Sequence, residues 1–375
     1  MDFALTEAQR ALQDEAIELG REVAPVQAIL EDSWIIGTSP DFSRELARRG
    51  WIGMTWPEAE GGGGRPAIDR FLVYEALIAA GAPVATTWFA DRQIGPTLLA
   101  FGTDEQRRRF LPSIIDGTAA WSIGMSEPDA GSDVAHISTR AVREHPEDDA
   151  SDWIVNGAKI WTSGAAHADW CYLIARTDPT AAPHAGLSEL IVDLRAPGVS
   201  ISPIEDMTRN RHFCEVVFTD VRVPAANLVG RENDSFRQVM RQMEHERGGI
   251  DRLLSNRALF EEHRALADTS DPLVRQELAA LETGYRIGRL LVLREIMGQA
   301  PKGFSAATKT FCTEFEQRVA AFCAAVAGAG ALLEGRVARN VCYAPAYTIM
   351  GGTTLILRNI IGERMLGLPR EPRLP

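Results

Sequence analysis

Trp121-Ser-Ile-Gly-Met-Ser-Glu-Pro-Asp-Ala-Gly-Ser-Asp133 is the stretch at which the chain changes its period. It reads as a strand that runs into a tight turn rich in Gly, Ser and Asp. From Ala120 onward, alternating or β-branched runs follow at Ala135–Arg143, Trp153–Thr162, Trp170–Arg176, Leu187–Leu194, Val199–Pro203 and Glu215–Val223. Pro, Gly and Asp punctuate them, the pattern of an antiparallel β-domain.

On either side the spacing is helical. Thr6 with Gln9 three positions on has the form of a capping box, and Leu5, Leu12, Ile17, Leu19 and Val23 follow it until Pro25 closes or kinks the helix. Phe42 and Leu46 before Gly50 mark a second helix, Ile68–Ala80 a third, and Thr103-Asp-Glu-Gln106 starts a fourth that ends near Gly117. Glu60-Gly-Gly-Gly-Gly64 lacks the Gly-Lys-Ser/Thr of a phosphate loop and is expected to be a flexible turn. From Asn233 to Leu366 the chain is helical again, with loops near Asp268–Pro272 and Ala300–Gly303. The expectation is an α+β protein in three parts: helical 1–119, a β-domain 120–231 and a helical bundle 232–375.

Composition narrows the function. A formal charge of −12 and a pI near 5.2 argue against a general nucleic-acid binder. Five cysteines, none spaced as C-x-x-C, suit reduced, packed thiols in a cytoplasmic protein and no metal site. The acidic, amphipathic N-terminus is unlike a signal peptide, and no run is long and apolar enough to span a membrane.

Two groups of residues point to chemistry. Trp161 offers a flat apolar face, while Ser126 and Ser163 offer hydroxyls beside strand backbone; together they suit a planar heteroaromatic ring with polar edges. Each taken singly also reads as a buried Trp or a turn serine. Secondly, the expected helix after Asn233-Asp-Ser235, ending near Leu254, carries Phe236, Val239, Met243, Ile250 and Leu253 on one stripe. The gap in that stripe falls on Glu246, so a carboxylate stands where a core side chain is expected. Such a group is either paired structurally or poised as a base in a dry pocket.

Taken together these segments resemble the acyl-CoA dehydrogenase family over nearly the whole chain. Gly102–Gln106 with Phe110-Leu-Pro112 is similar to the segment before that family's β-domain. Met125–Asp133 resembles its "TEPGAGSD" stretch and Trp161-Thr-Ser163 its "WIT" stretch. Val221–Pro224 with Asn227–Gly230 resembles the exit from the β-domain, and Gly352-Thr353 with Arg358–Leu368 the last helix. The resemblance implies α,β-desaturation of an acyl-CoA thioester: a carboxylate takes the pro-R α-proton, the β-hydrogen leaves as hydride to FAD, and electrons pass to an electron-transferring flavoprotein. It implies a tetramer as well. Ile123, Met125, Ser126, Trp161, Thr162, Ser163 and Thr353 would contact the cofactor. Ser132 would lie where cofactor and the CoA arm meet. Glu244, Arg247, Gly249 and Gly352 would meet substrate, with Arg247 in the family's arginine position.

Departures from the pattern are informative. Most members carry the catalytic glutamate just before the C-terminal Gly-Thr, where this chain has Gly351. A minority resembling isovaleryl-CoA dehydrogenase carry it immediately before the base-helix arginine, which here is Glu246. Gly351 would keep only its backbone N–H for the thioester carbonyl, so Gly351→Pro is expected to be severe and Gly351→Ala mild. Gly248 and Gly249, expected inside the helix, would leave room beside the base for a branched or ring-bearing acyl group, or merely bend the helix. Polar residues usual after Gly-Thr are replaced by Leu355 and Leu357, and no Arg-x-x-Phe-Gly stretch follows Arg257. Ala324–Arg336 lacks the usual glutamine-and-glycine segment, with Gly328 and Gly330 its nearest substitutes. Part of the FAD site is therefore expected from a sister subunit, as in heteromeric actinobacterial enzymes acting on steroid side chains. The rival expectations are a non-catalytic or half-site partner subunit and an oxidase passing electrons to oxygen.

Overall fold

The computed structural model describes residues 4–23, 30–148, 150–236, 238 and 249–370. They form two compact units, one from segments within 1–34, 65–82 and 244–375 and the other from 35–64 and 83–243. In chain order the helices are α1 (Glu7–Val23), α2 (Ser33–Ile36), α3 (Pro40–Arg48), α4 (Ala67–Ala79), α5 (Ala85–Phe89), α6 (Gly95–Phe101) and α7 (Asp104–Ile115). After the sheet come α8 (Asp251–Leu254), α9 (Arg257–Leu266), α10 (Pro272–Ile296), α11 (Phe304–Ala327), α12 (Arg336–Tyr347) and α13 (Thr354–Ile360).

The sheet unit holds β1 (Trp121–Gly124), β2 (Arg140–Arg143), β3 (Trp153–Lys159), β4 (Trp170–Arg176), β5 (Leu187–Asp193), β6 (Val199–Ile204), β7 (Phe213–Val223) and β8 (Leu228–Val229). Their order is β6-β7-β3-β2-β4-β5-β8, with β1 laid on β4. The sheet is mixed rather than wholly antiparallel. β1 runs parallel to β4 from Trp121↔Trp170 to Gly124↔Leu173, and β2 meets β4 in parallel at Arg140↔Arg176. No hairpin joins β1 to β4; the connection passes through β2 and β3, and such a crossover permits parallel pairing. Cys171, Leu173 and Ala175 of β4 join Leu190, Val192, Val216 and Val221 in the main core, while Ile174 and Leu187 pack with Ala130 and Ile137 in a smaller one. Phe110 of α7 meets Trp121 and Trp170 edge-on, with centroids 5.6 and 5.2 Å away.

The four-glycine stretch is an ordered turn closed on the backbone of Gly53 to Pro57, contrary to the expected flexible turn. Gly62, Gly63 and Gly64 donate N–H groups to the carbonyls of Pro57, Gly53 and Trp56 at 3.1, 3.0 and 2.9 Å. A Cβ on Gly62 would lie 2.4 Å from the Cβ and O of Trp56, so only glycine permits the approach.

In the helical unit, α1 opens with the expected capping box, Thr6 N–H to Gln9 Oε1 at 3.0 Å and Gln9 N–H to Thr6 Oγ1 at 3.2 Å. It packs against α4, where Gly20 brings the helices so close that a Cβ would come 2.8 Å from Ala80 Cβ. Arg336 donates to Glu31 at 2.6 Å and the Trp34 indole to Ser255 Oγ at 2.9 Å, tying the first segment to the last. α11 lies at the centre and carries the fully buried Glu316, whose Oε1 accepts the Ser255 N–H at 2.9 Å. Burial pushes Glu316 up to about 8, outweighing the opposing pull of the Ser255 hydrogen bonds and the Arg252 charge. A carboxyl raised in the folded state contributes its stability below the unfolded value of 4.5 and loses it as pH rises through about 8. Glu316→Gln should therefore gain stability relative to wild type across that interval, by at most ~1.4 kcal/mol per pH unit, and level off above it. Urea midpoints at a series of pH values check this; a constant difference would show that Glu316 is ionised throughout.

Candidate active site

The segment leaving β1 and the segment leaving β3 are held side by side by a buried ion pair. Lys159 Nζ, wholly buried, lies 2.8 Å from Glu127 Oε1 and donates to the Met125 carbonyl at 3.1 Å. Glu127 accepts from the backbone N–H groups of Ser138 and Thr139 at 2.6 and 2.8 Å, and from the Ser138 hydroxyl at 2.7 Å. Burial alone would raise the Glu127 carboxyl, but the Lys159 charge and these hydrogen bonds prevail and hold it at about 2. The Ile160 N–H donates to the Ser126 carbonyl at 2.9 Å. Two motifs some thirty residues apart thus share one edge. The arrangement also explains where strands stop. Ser138 and Thr139 give their N–H groups to Glu127, and β2 begins only at Arg140, not at 135 as expected.

β3 ends at Lys159 rather than 162 because Trp161 adopts φ +59°, outside the strand region and uncommon for an aromatic residue. That twist turns the indole outward, 53% exposed and edge-on to Phe213 at 5.7 Å. It turns Thr162 inward, with its N–H on the Cys214 carbonyl at 3.0 Å and its Oγ1 buried without a hydrogen-bond partner among the described residues. Ile123, Met125, Ser126 and Ser163 are half-buried, and Ser132 is exposed in the turn after the Glu127–Ala130 bridge. An exposed flat ring on the edge that also carries Met125, Ser126 and Ser163 fits a planar heteroaromatic cofactor such as the flavin of FAD; a ligand on this face would meet the exposed Trp161 ring rather than the buried Thr162 side chain.

In the helical unit, Gly351 and Gly352 form a left-handed turn with φ +62° and +92°. Thr353 caps α13, its Oγ1 accepting the Ile356 N–H at 3.3 Å while keeping its own proton to donate. The φ of Gly351 corrects one expectation: alanine there is strained by about 1–2 kcal/mol and proline is incompatible, so the Ala/Pro pair does not isolate the N–H. Gly249 is not inside a helix. It precedes α8, its carbonyl accepting the Arg252 N–H at 3.2 Å, so the room expected from a glycine inside the helix does not carry over. Glu244, Glu246, Arg247 and Gly248 lie outside the described residues.

Of the residues flagged as departures, Arg257 and Leu357 are engaged within their own unit and Leu355 is not. Arg257 pairs with Glu261 and covers the Tyr285 ring at 4.1 Å. Leu357 is buried, whereas Leu355 is 71% exposed. Burial pushes the thiols of Cys171 and Cys323 up to about 11 and about 12, which removes them as nucleophiles at neutral pH. Among the described residues no His, Cys, Asp and Glu group could hold a metal ion, and no helix is long and apolar enough to cross a membrane. Sequence reasoning did not single out Glu127 and Lys159. The signal was present in the alternation Trp153, Val155, Gly157, Lys159, which sends the lysine inward.

Comparison with known proteins agrees with this architecture. Residues 6–118, 122–221 and 233–366 match the N-terminal, middle and C-terminal domains of acyl-CoA dehydrogenases. The chain is 39% identical to acyl-CoA dehydrogenase IpdE1 of Mycobacterium tuberculosis, over 88% of each chain. It is 36% identical to acyl-CoA dehydrogenase FadE26 of the same organism, again over 88% of each. Among solved structures it resembles the ChsE4-ChsE5 complex from Mycobacterium tuberculosis, at 32% identity and TM-score 0.86, covering 99% of this chain and 100% of that one. A structure described as the Tcur3481-Tcur3483 steroid ACAD is similar at 29% identity and TM-score 0.87, covering 99% and 100%.

Removing one partner of a buried pair leaves an uncompensated charge. Lys159→Met should cost about 3–5 kcal/mol in urea unfolding, and adding Glu127→Gln should restore part of it. A double variant no more stable than Lys159→Met would mean that the lysine acts chiefly through the Met125 carbonyl.

Proposed function

Since the chain belongs to the acyl-CoA dehydrogenase family, we propose that it catalyses FAD-dependent α,β-dehydrogenation of a branched or steroid-side-chain acyl-CoA, with Glu246 as the base. The observation that carries the cofactor reading is the edge on which Met125–Glu127 and Lys159–Ser163 meet, with the Trp161 indole outward. Ile123, Met125, Ser126, Trp161, Ser163 and Thr353 would hold the cofactor, with Thr162 contributing through its backbone position. Ser132, Glu244, Arg247 and Gly352 would hold the CoA thioester. FAD, when bound, supplies the acceptor for the β-hydrogen and its electron pair. Glu246 takes the α-proton as the Cα–Cβ double bond forms. Gly351, left-handed and without a side chain, can offer its N–H to the thioester oxygen and stabilise the charge that develops there. With glycine at 351, no carboxylate is available at that position, which favours the assignment to Glu246.

An electron-transferring flavoprotein is the proposed electron partner. A sister acyl-CoA dehydrogenase subunit within a tetramer is proposed to complete the FAD site. Support for the sister subunit comes from exposed Leu355 where a polar contact is usual, from Arg257 engaged by Glu261 and Tyr285, and from the solved ChsE4-ChsE5 complex. The acyl preference rests on the steroid ACAD likeness and not on Gly249.

Glu246→Gln keeps the shape of the side chain and removes the base. Turnover should fall by at least three orders of magnitude, on the order of the upper range for general-base loss or beyond, with bound FAD unchanged. Retention of a tenth of wild-type activity would place the base elsewhere. Flavin bleaching by a panel of acyl-CoAs, with and without the candidate sister subunit, tests substrate and partner together. Branched or ring-bearing thioesters should bleach at least about tenfold faster than straight medium chains, a difference of roughly 1.4 kcal/mol. A straight-chain preference would overturn the acyl assignment alone. Rapid oxygen uptake after anaerobic reduction would instead identify an oxidase.

A further inference from the structure

The Gly351–Gly352 turn has the softest backbone available to a protein, two successive glycines in the left-handed region. A donor that must meet a thioester oxygen cannot be left on such a segment without a brace, because a misplacement of about 1 Å can cost a hundredfold in rate. The brace is visible. On one side Gln317 of α11 donates to the Ala344 carbonyl at 3.2 Å and to Thr348 Oγ1 at 3.0 Å. The Thr354 N–H closes the loop on the Thr348 carbonyl at 2.9 Å. Between these, about one turn before Cys312 and two before Glu316 on α11, stands Lys309, wholly buried. Its Nζ donates to the Gly352 carbonyl at 2.8 Å and reaches the Tyr347 carbonyl at 3.5 Å, so one ammonium bridges the two ends of the turn.

A neutral donor could satisfy a carbonyl. Burying an ammonium costs several kcal/mol, and the return is a charge-assisted hydrogen bond roughly twice as strong as a neutral one. That choice makes sense where a carbonyl must be held in one place. Tyr347, whose carbonyl is the second contact, is itself fixed, its hydroxyl accepting from Asn340 at 2.8 Å. The turn is therefore pinned from α11 and α12 through side chains.

We propose that Lys309 is a positioning residue for thioester binding: its ammonium, clamped on the Gly352 carbonyl, fixes the left-handed turn from which the Gly351 N–H meets the thioester carbonyl. The inference rests on the donor role given to Gly351 above, and the experiment separates the two. The FAD-loaded protein, with its sister subunit if one is needed, is mixed with a non-oxidisable acyl-CoA carrying a ¹³C-labelled thioester carbonyl. Isotope-edited infrared difference spectra then report how far the bound carbonyl is polarised. In wild type the band should move to lower frequency on binding. In Lys309→Met it should recover at least half of the way to its free position, with kcat reduced about a hundredfold, KM within about threefold and flavin content unchanged. Lys309→Gln, which keeps a neutral donor, should fall between.

A fully shifted band in Lys309→Met overturns the proposal, and so does a loss of kcat with the band unmoved, which is what a merely structural lysine would give. Failure of both variants to fold would make Lys309 a folding residue and equally ends it. No shift in wild type would fail the Gly351 donor itself, and the role of Lys309 with it.

Discussion

The buried pair of Glu127 and Lys159 is the constraint on which the sheet unit's functional edge depends. Desolvating two opposite charges is unfavourable by several kcal/mol each unless their remaining hydrogen-bonding capacity is filled. Here the carboxylate takes Ser138 and Thr139, and the ammonium takes the Met125 carbonyl. Those contacts decide where β2 starts and how the loop after β1 lies against the loop after β3. The outward Trp161 ring and the adjacent Ser126 and Ser163 follow from that geometry. Replacing either ion by an apolar residue would leave a sheet but not that edge.

A similar device recurs in the helical unit. Lys159 braces the carbonyl of Met125, next to the proposed cofactor contacts, and Lys309 braces the carbonyl of Gly352, next to the proposed thioester donor. Both lysines are wholly buried and both come from regular elements, a strand and a long helix, onto irregular backbone. Irregular backbone can present N–H groups and rings to a ligand only if something rigid holds it.

Features set by neighbours in sequence were legible. The capping boxes at Thr6/Gln9 and Thr103/Gln106 are both present, and the strands at 170–176 and 187–193 fall within a residue of their expected bounds, although burial on both faces replaces alternation there. Family resemblance extended the reading to the whole architecture, which matching over three domains supports. What depends on distant parts of the chain was not legible. Nothing local tells that β1 lies parallel to β4, or that Gly62 is small because Trp56 is against it. Glycine at 351 allows a positive φ without requiring one, so the strain that an alanine would meet there is set by the fold of the turn. The inward lysines occupy an intermediate place. Their phase on β3 and on α11 marks them as buried, but only the fold identifies the carbonyls they meet.

The division of the chain into units has a consequence for how the protein is made. Residues 83–243 run without interruption through most of the sheet unit, whereas the helical unit is assembled from three separate stretches. A chain emerging from the ribosome can complete the sheet while the residues after 243 are still unsynthesised, since domains generally fold as units as they appear. α1 and α4 can pair early, but the partners of Glu31 and Trp34 follow the sheet unit: Ser255 lies 221 positions after Trp34 and Arg336 lies 305 after Glu31. Closing that distance is an entropic cost met only once residue 336 has emerged. In the interval the earliest helices carry apolar faces awaiting cover, and the nascent chain is at its most vulnerable to chaperone capture or aggregation.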